Sequence, residues 1–152
     1  MPNIQRLSAD NPRDAAAWDD YVLAAPEATF FHRAGWQRVL REVFRHDTHF
    51  LKAERAGRIV GVLPLAHVRS LLFGQSLTSL PFAVYGGVVA DDDEAAHALE
   101  ARAQELARTL GVQHLELRQL RRHHPDWPRQ DLYVTFRKPI LPDEEANMLA
   151  IP

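Results

Sequence analysis

The 152-residue chain carries 18 basic and 20 acidic side chains, a net charge of −2, and no cysteine. Its length fits one domain, and its 46% hydrophobic and 25% charged composition is that of an ordinary globular protein. The missing cysteines exclude disulfide scaffolds, thiolate nucleophiles and Cys-ligated zinc. The well-mixed charges leave no basic field for direct nucleic-acid binding.

Met1 to Arg6 lacks the apolar core of a signal peptide, so a cytoplasmic location is the expectation. Ser70 to Ala90 is uncharged, but Gln75, Ser76, Thr78, Ser79, Pro81 and Gly86-Gly87 argue against a membrane helix. That stretch reads as buried strand, loop and strand.

A short strand is expected around Ile4 to Leu7, followed by a helix capped by Asn11, with Pro12 in its first turn and Asp14 three residues after the cap. Ala15, Trp18, Val22 and Ala25 form its apolar stripe, and Pro26 stops it. A second helix is expected from Ala34 to Phe44, with Trp36, Val39, Leu40, Val43 and Phe44 inward and Arg38, Arg41 and Glu42 elsewhere. Thr48 to Glu54 and Arg58 to Val68 read as strands joined at Arg55-Ala56-Gly57. The second is apolar on both faces and hence central, yet Pro64 cannot donate to a ladder, so a bulge or splay is expected there.

Tyr85 to Val89 is a further expected strand. Asp91 to Asp93 then start a helix with the stripe Ala96, Leu99, Ala103, Leu106 and Leu110, ended by Gly111. In the following strand, Leu115 and Leu117 share one face, and His114, Glu116 and Arg118 the other. A polar loop over Gln119 to Gln130 leads to a last strand, Leu132 to Phe136. Pro142 to Glu145 resembles the first turn of a helix whose apolar residues Met148, Leu149 and Ile151 have nothing after them to bury them, as at a domain boundary. The element order implies an α/β (α+β) fold with a mixed sheet.

Several residues invite a chemical reading. His46 and His49, and the adjacent His123 and His124, lack metal-ligand spacing and read as surface or structural histidines. No Gly-x-Ser-x-Gly elbow surrounds Ser70, Ser76 or Ser79, which read as loop serines bonded to backbone. His114, Glu116 and Arg118 form either a groove wall that binds an anion through Arg118, or a solvated face with an intrastrand ion pair. Gly86-Gly87 either permits unusual backbone angles and close approach of a ligand to its amides, with Pro81 and Tyr85 shaping the loop, or makes a tight turn between strands.

In chain order, Thr29-Phe30-Phe31-His32-x-x-Gly35-Trp36, Gly61-Val62-Leu63-Pro64-Leu65, Ser70-x-x-Phe73-Gly74, Ser79-Leu80-Pro81-Phe82-x-x-Tyr85-Gly86-Gly87 and His114-Leu115-Glu116-Leu117-Arg118 resemble the FemAB-related proteins, and within them the branch associated with PEP-CTERM/exosortase exopolysaccharide systems. These proteins resemble two tandem acetyltransferase-like (GNAT) domains. The resemblance spans Thr29 to Arg118 and covers about the first of the two. It implies a GNAT-like domain over 1–141, with 142–152 leading toward a second domain.

It also implies amide-bond formation on a peptidoglycan precursor or exopolysaccharide-related acceptor. In the peptidoglycan-modifying members, a basic residue after the tryptophan holds acceptor phosphate, and Arg38 is its counterpart here. Tyr85, Gly86 and Gly87 match a groove segment, bordered by the strand holding Glu116 and Arg118. The donor, aminoacyl-tRNA or acyl-CoA, would need the second domain, so no cofactor is expected on this chain. Its catalytic residues are unassigned.

Two other readings stand beside this one. A stand-alone acetyltransferase needs a helix N-terminus for the pyrophosphate of acetyl-CoA, and Asp91-Asp92-Asp93-Glu94 is ill suited to that. A non-catalytic domain would pair with a second domain or a second copy through the Met148-Leu149-Ile151 end.

Overall fold

The computed structural model describes residues 1–8, 10–70, 72, 74–119, 123–130 and 139–150. They fall into two compact units, Met1–Arg122 and His123–Pro152.

The first unit opens with strand β1 (Asn3–Arg6) and helix α1 (Pro12–Ala24). The Asn11 side chain accepts from the Arg13 and Asp14 amides at 3.0 and 3.4 Å, satisfying donors that the helix itself cannot. Trp18 and Val22 bury the inner face; Trp18 stacks on Phe50 with ring centroids 5.5 Å apart. A 3-10 turn, Phe30–His32, precedes helix α2 (Gly35–Glu42).

Helix α2 departs from the expected pattern. It ends at Glu42, and the chain turns at Arg45 with φ 59°. Val43 and Phe44, expected inside, are therefore exposed, and the buried residues are Leu40 and Gln37. Apolar spacing could not show that a glutamine takes the inner position.

The strands are β2 (Asp47–Thr48), β3 (Leu51–Arg55), β4 (Arg58–Leu63), β5 (Leu65–Ser70), β6 (Gly74–Ser79), β7 (Val89–Ala90) and β8 (His114–Glu116). Among the described residues they form two four-stranded sheets, ordered β1-β3-β4-β7 and β2-β5-β6-β8. The single run from Arg58 to Ser70 crosses between them at Pro64. Leu63 pairs with Leu51 in one sheet, while Ala66 pairs with Thr48 in the other. The splay expected at the proline is thus the point where the sheets part.

After β7, helix α3 (Asp93–Leu110) leads to β8, which pairs in parallel with β6, Thr78 opposite Glu116. Asp92 caps it, and Gly111 ends it in the left-handed conformation (φ 64°). β4 buries both faces as expected: Val62 packs with Trp18, Leu40 and Phe50, and Leu63 packs with Leu77, Leu99 and Ala103. α1 and α2 thus contribute to one core, and α3 covers the other.

In the second unit, helix α4 (Glu144–Leu149) is capped by Asp143, whose carboxylate accepts from the Ala146 amide at 2.7 Å. Met148 and Leu149 are exposed. The expected strand over Leu132 to Phe136, and Ile151, lie outside the described residues. No helix among the described residues is long and apolar enough to cross a membrane.

Candidate functional site

Between β6 and β7 the chain passes from one sheet to the other. Ser79 stands opposite Leu65 in one ladder and Val89 opposite Val62 in the other, so residues 80–88 leave the first ladder before joining the second. The Leu80 amide makes one last bond, to the Pro64 carbonyl at 3.2 Å. This excursion lies at the carboxyl end of β6 in a parallel β6-α3-β8 unit, the kind of edge where α/β sheets place ligands. Leu80 (φ 42°) and Phe82 (φ 71°) both hold left-handed backbone, each at a cost of roughly 1–2 kcal/mol.

Neighbouring segments hold these strained residues in place. The Gly86 and Gly87 amides both donate to the Arg118 carbonyl, at 3.1 and 3.0 Å. Arg118 Nη1 donates back to the Ala83 carbonyl at 3.0 Å, and its backbone amide donates to Ser79 Oγ at 2.8 Å. Thr29 Oγ1 reaches the Tyr85 carbonyl at 3.4 Å.

Buried His32 supplies the remaining tie. Its Nδ1 accepts the Thr29 amide at 3.0 Å, which leaves the proton on Nε2 to donate to the Gly87 carbonyl at 3.1 Å. Burial pushes the His32 pKa below its ordinary value, while these two backbone bonds oppose the shift. Trp18 Nε1 donates to the His32 carbonyl at 2.7 Å and fixes the turn from behind.

This geometry corrects several expectations. Tyr85 to Val88 are not strand, because the Gly86 and Gly87 amides go to Arg118 rather than to a ladder. For the same reason those amides are not open to orient an acceptor. Neither glycine has positive φ; what they provide is room. A Cβ on Gly86 would lie 2.3 Å from the Leu80 Cβ, and one on Gly87 2.3 Å from the Gln119 Cγ.

Arg118 and Glu116 form the intrastrand ion pair, with Nε 2.7 Å from Oε1, and β8 ends at Glu116. Arg118 therefore secures the loop with its backbone and its side chain. Arg38 lies apart from this network, 80% exposed on α2 and 3.9 Å from Glu42. His32 is the site residue to which sequence reasoning gave no role; Ser79, read as a loop serine bonded to backbone, does accept a backbone amide, that of Arg118, but from the end of β6 rather than from a loop. The one available signal was the spacing of Thr29 and His32, which suits a turn closed by a side chain.

The start of α3 is occupied by its own carboxylates. Asp92 Oδ1 accepts the Ala95 amide at 2.8 Å, and Arg55 bridges Asp92 Oδ2 and Glu94 Oε2, each at 2.7 Å. Arg55, followed by the Ala95 amide, holds the Asp92 carboxyl below its ordinary range. The Tyr21 hydroxyl donates to Asp91 at 3.0 Å, and burial is the main cause that raises its pKa.

Around the loop tip, exposed Phe82 stacks on Phe44 at 4.2 Å and on His46 at 5.8 Å.

No protein-family model matches the chain, and no curated protein sequence matches it. Solved structures do match. A transcriptional regulator from Bacillus halodurans C-125 superposes with a TM-score of 0.56 at 13% identity, covering 92% of this chain and 100% of that one. A ribosomal-protein-alanine N-acetyltransferase from Brucella melitensis biovar Abortus gives 0.55 at 13%, covering 92% and 99%. A GNAT family acetyltransferase from Staphylococcus aureus gives 0.51 at 12%, covering 93% and 98%. At these identities the likeness is one of fold: a mixed α/β architecture, its sheets flanked by helices, of the GNAT acetyltransferase type.

Proposed function

We propose that this chain is the acceptor-side GNAT unit of a FemAB-type acyl or aminoacyl transferase, which joins an activated acyl group to an amine on a cell-wall-precursor or exopolysaccharide-related acceptor. The observation that carries this reading is the start of α3. A CoA pyrophosphate would need unoccupied amides at a helix N-terminus and a field that favours anions. Here Asp92 takes the Ala95 amide, and Asp93 and Glu94 add negative charge to the first turn. The donor, aminoacyl-tRNA or acyl-CoA, is therefore assigned to another domain.

In the reaction, the acceptor amine attacks the donor carbonyl. The new C–N bond forms as the ester or thioester bond breaks, and the proton lost by the amine ends on the departing hydroxyl or thiol. This unit contributes positioning, and no group on it is assigned as the base. Arg38, solvent-facing on α2, meets the anionic part of the acceptor, as the FemAB resemblance implies. Tyr85 and the Gly86-Gly87 segment give the groove its shape, and Glu116 and Arg118 keep that segment in place. A second domain or a second copy would complete the site.

A second reading, a self-sufficient N-acetyltransferase using acetyl-CoA, is favoured by the extent of the structural match: 99% of the Brucella enzyme is covered. Titration with a uridine-diphosphate-linked muramyl peptide separates the two. The first reading predicts saturable binding that Arg38→Gln weakens. Absence of binding, with acetyl-CoA bound instead, would favour the second.

A further inference from the structure

A cleft of about 440 Å³ opens between the end of β1, helix α2 and strand β2. That volume lies within the range of about 300–1,000 Å³ usual for small-molecule sites. Its walls include Arg6, Ser8, Gln37, Arg41, Asp47 and Thr48. Gln37 and Arg41 are one helical turn apart, so α2 presents both on the same side.

The side chains in this cleft are unequally satisfied. The Arg6 guanidinium donates to the Thr48 carbonyl, which fixes its place in the wall. Asp47, the one acidic member, is already paired with Arg69 at 2.7 Å. Arg41 makes no hydrogen bond or ion pair with any described residue. Gln37 is only 4% exposed, yet its amide has no hydrogen-bond partner among the described residues. Among the described residues, the side-chain polar atoms that are both covered and without a partner are Arg33 Nε and His49 Nε2, so the Gln37 amide, on a side chain almost wholly covered, keeps its polar atoms open to the solvent of the cleft.

The local field favours an anion: two guanidiniums face one carboxylate that is already neutralised. At His49, which follows Thr48, burial first and then the Arg6 charge push the pKa down to about 4 against the opposing pull of Asp47, and Nε2 is buried without a partner.

We propose that this cleft is a binding site for a small anion-bearing ligand, its phosphate or carboxylate held by Arg6 and Arg41 and a neighbouring polar atom held by the Gln37 amide. The site does not depend on the transferase reading. Arg41 acts as the charged arm, Arg6 as the fixed donor, and Gln37 as the group that distinguishes a bound ligand from a loosely attracted ion.

The test is NMR titration of the ¹⁵N-labelled full chain at constant ionic strength, following the Gln37 side-chain amide. Inorganic pyrophosphate is one probe and citrate the other. A saturable shift at Gln37 is expected with at least one of them; pyrophosphate alone identifies a phosphate-bearing ligand and citrate alone a carboxylate-bearing one. Arg41→Gln should weaken that binding about tenfold, the loss of one charge-assisted contact, with the thermal midpoint unchanged. Arg58→Gln, at the exposed start of β4, should leave it unaltered. No saturable shift at Gln37 with either probe, or equal weakening by Arg58→Gln, would overturn the proposal.

Discussion

The Nε2 of buried His32 lies 3.1 Å from the Gly87 carbonyl, so a histidine on the turn before α2 holds the segment that leads from one sheet to the other. This bond needs a neutral ring with Nδ1 accepting and Nε2 donating. A protonated ring would lose the Thr29 amide bond and leave a charge in the core.

A pH dependence follows. The folded pKa of His32 is lowered by burial, and those of His46 and His49 are lowered too, His49 to about 4. An unfolded histidine titrates near 6.5, so below that pH the unfolded chain binds more protons than the folded one. Stability should be complete above about pH 6.5 and fall as the pH drops toward about 4. The urea midpoint measured between those limits should decline, and His32→Gln should flatten the decline. An unchanged slope in that variant would remove His32 from the account.

Gly87→Ala should destabilise the first unit by about 1–3 kcal/mol, because the added methyl meets the Gln119 side chain and backbone. Gly35→Ala, at the start of α2 with nothing within 4 Å, should be neutral or slightly stabilising. Thermal denaturation of the two variants reads the difference. Equal midpoints would mean that the loop yields to the methyl.

Arg118→Ala removes the side-chain bonds to Ala83 and Glu116 but keeps the backbone carbonyl that receives the Gly86 and Gly87 amides. Hydrogen exchange of those two amides should therefore accelerate, while amides in the β5–β6 ladder keep their protection. The global loss should be about 1–2 kcal/mol. Unaltered exchange at Gly86 and Gly87 would show that the side chain does not secure the loop.

The parts of the fold legible in the sequence were those with local causes. α3 announces itself through an aspartate cap, an unbroken apolar stripe and a terminal glycine. Pro64 marks the parting of the sheets because a residue without an N–H cannot continue a ladder. The roles of Gly86 and Gly87 were not legible: a glycine pair is consistent with unusual torsions or with crowding, and only the approach of Leu80 and Gln119 decides for crowding. Leu80 and Phe82 hold the left-handed backbone instead, against their own preference, because contacts distant in sequence over-determine the loop. The partner of Arg118 was equally hidden. Alternation put it on a face with Glu116, but its bond to the Ala83 carbonyl spans 35 residues and depends on how the chain passes between the sheets.

The most direct test of the functional account is isothermal titration of the chain with acetyl-CoA. The self-capped, acidic start of α3 predicts no saturable binding. Micromolar binding would contradict it: the pyrophosphate would have to lie against Asp92, Asp93 and Glu94 or at another helix, and the chain would be a self-sufficient acetyltransferase.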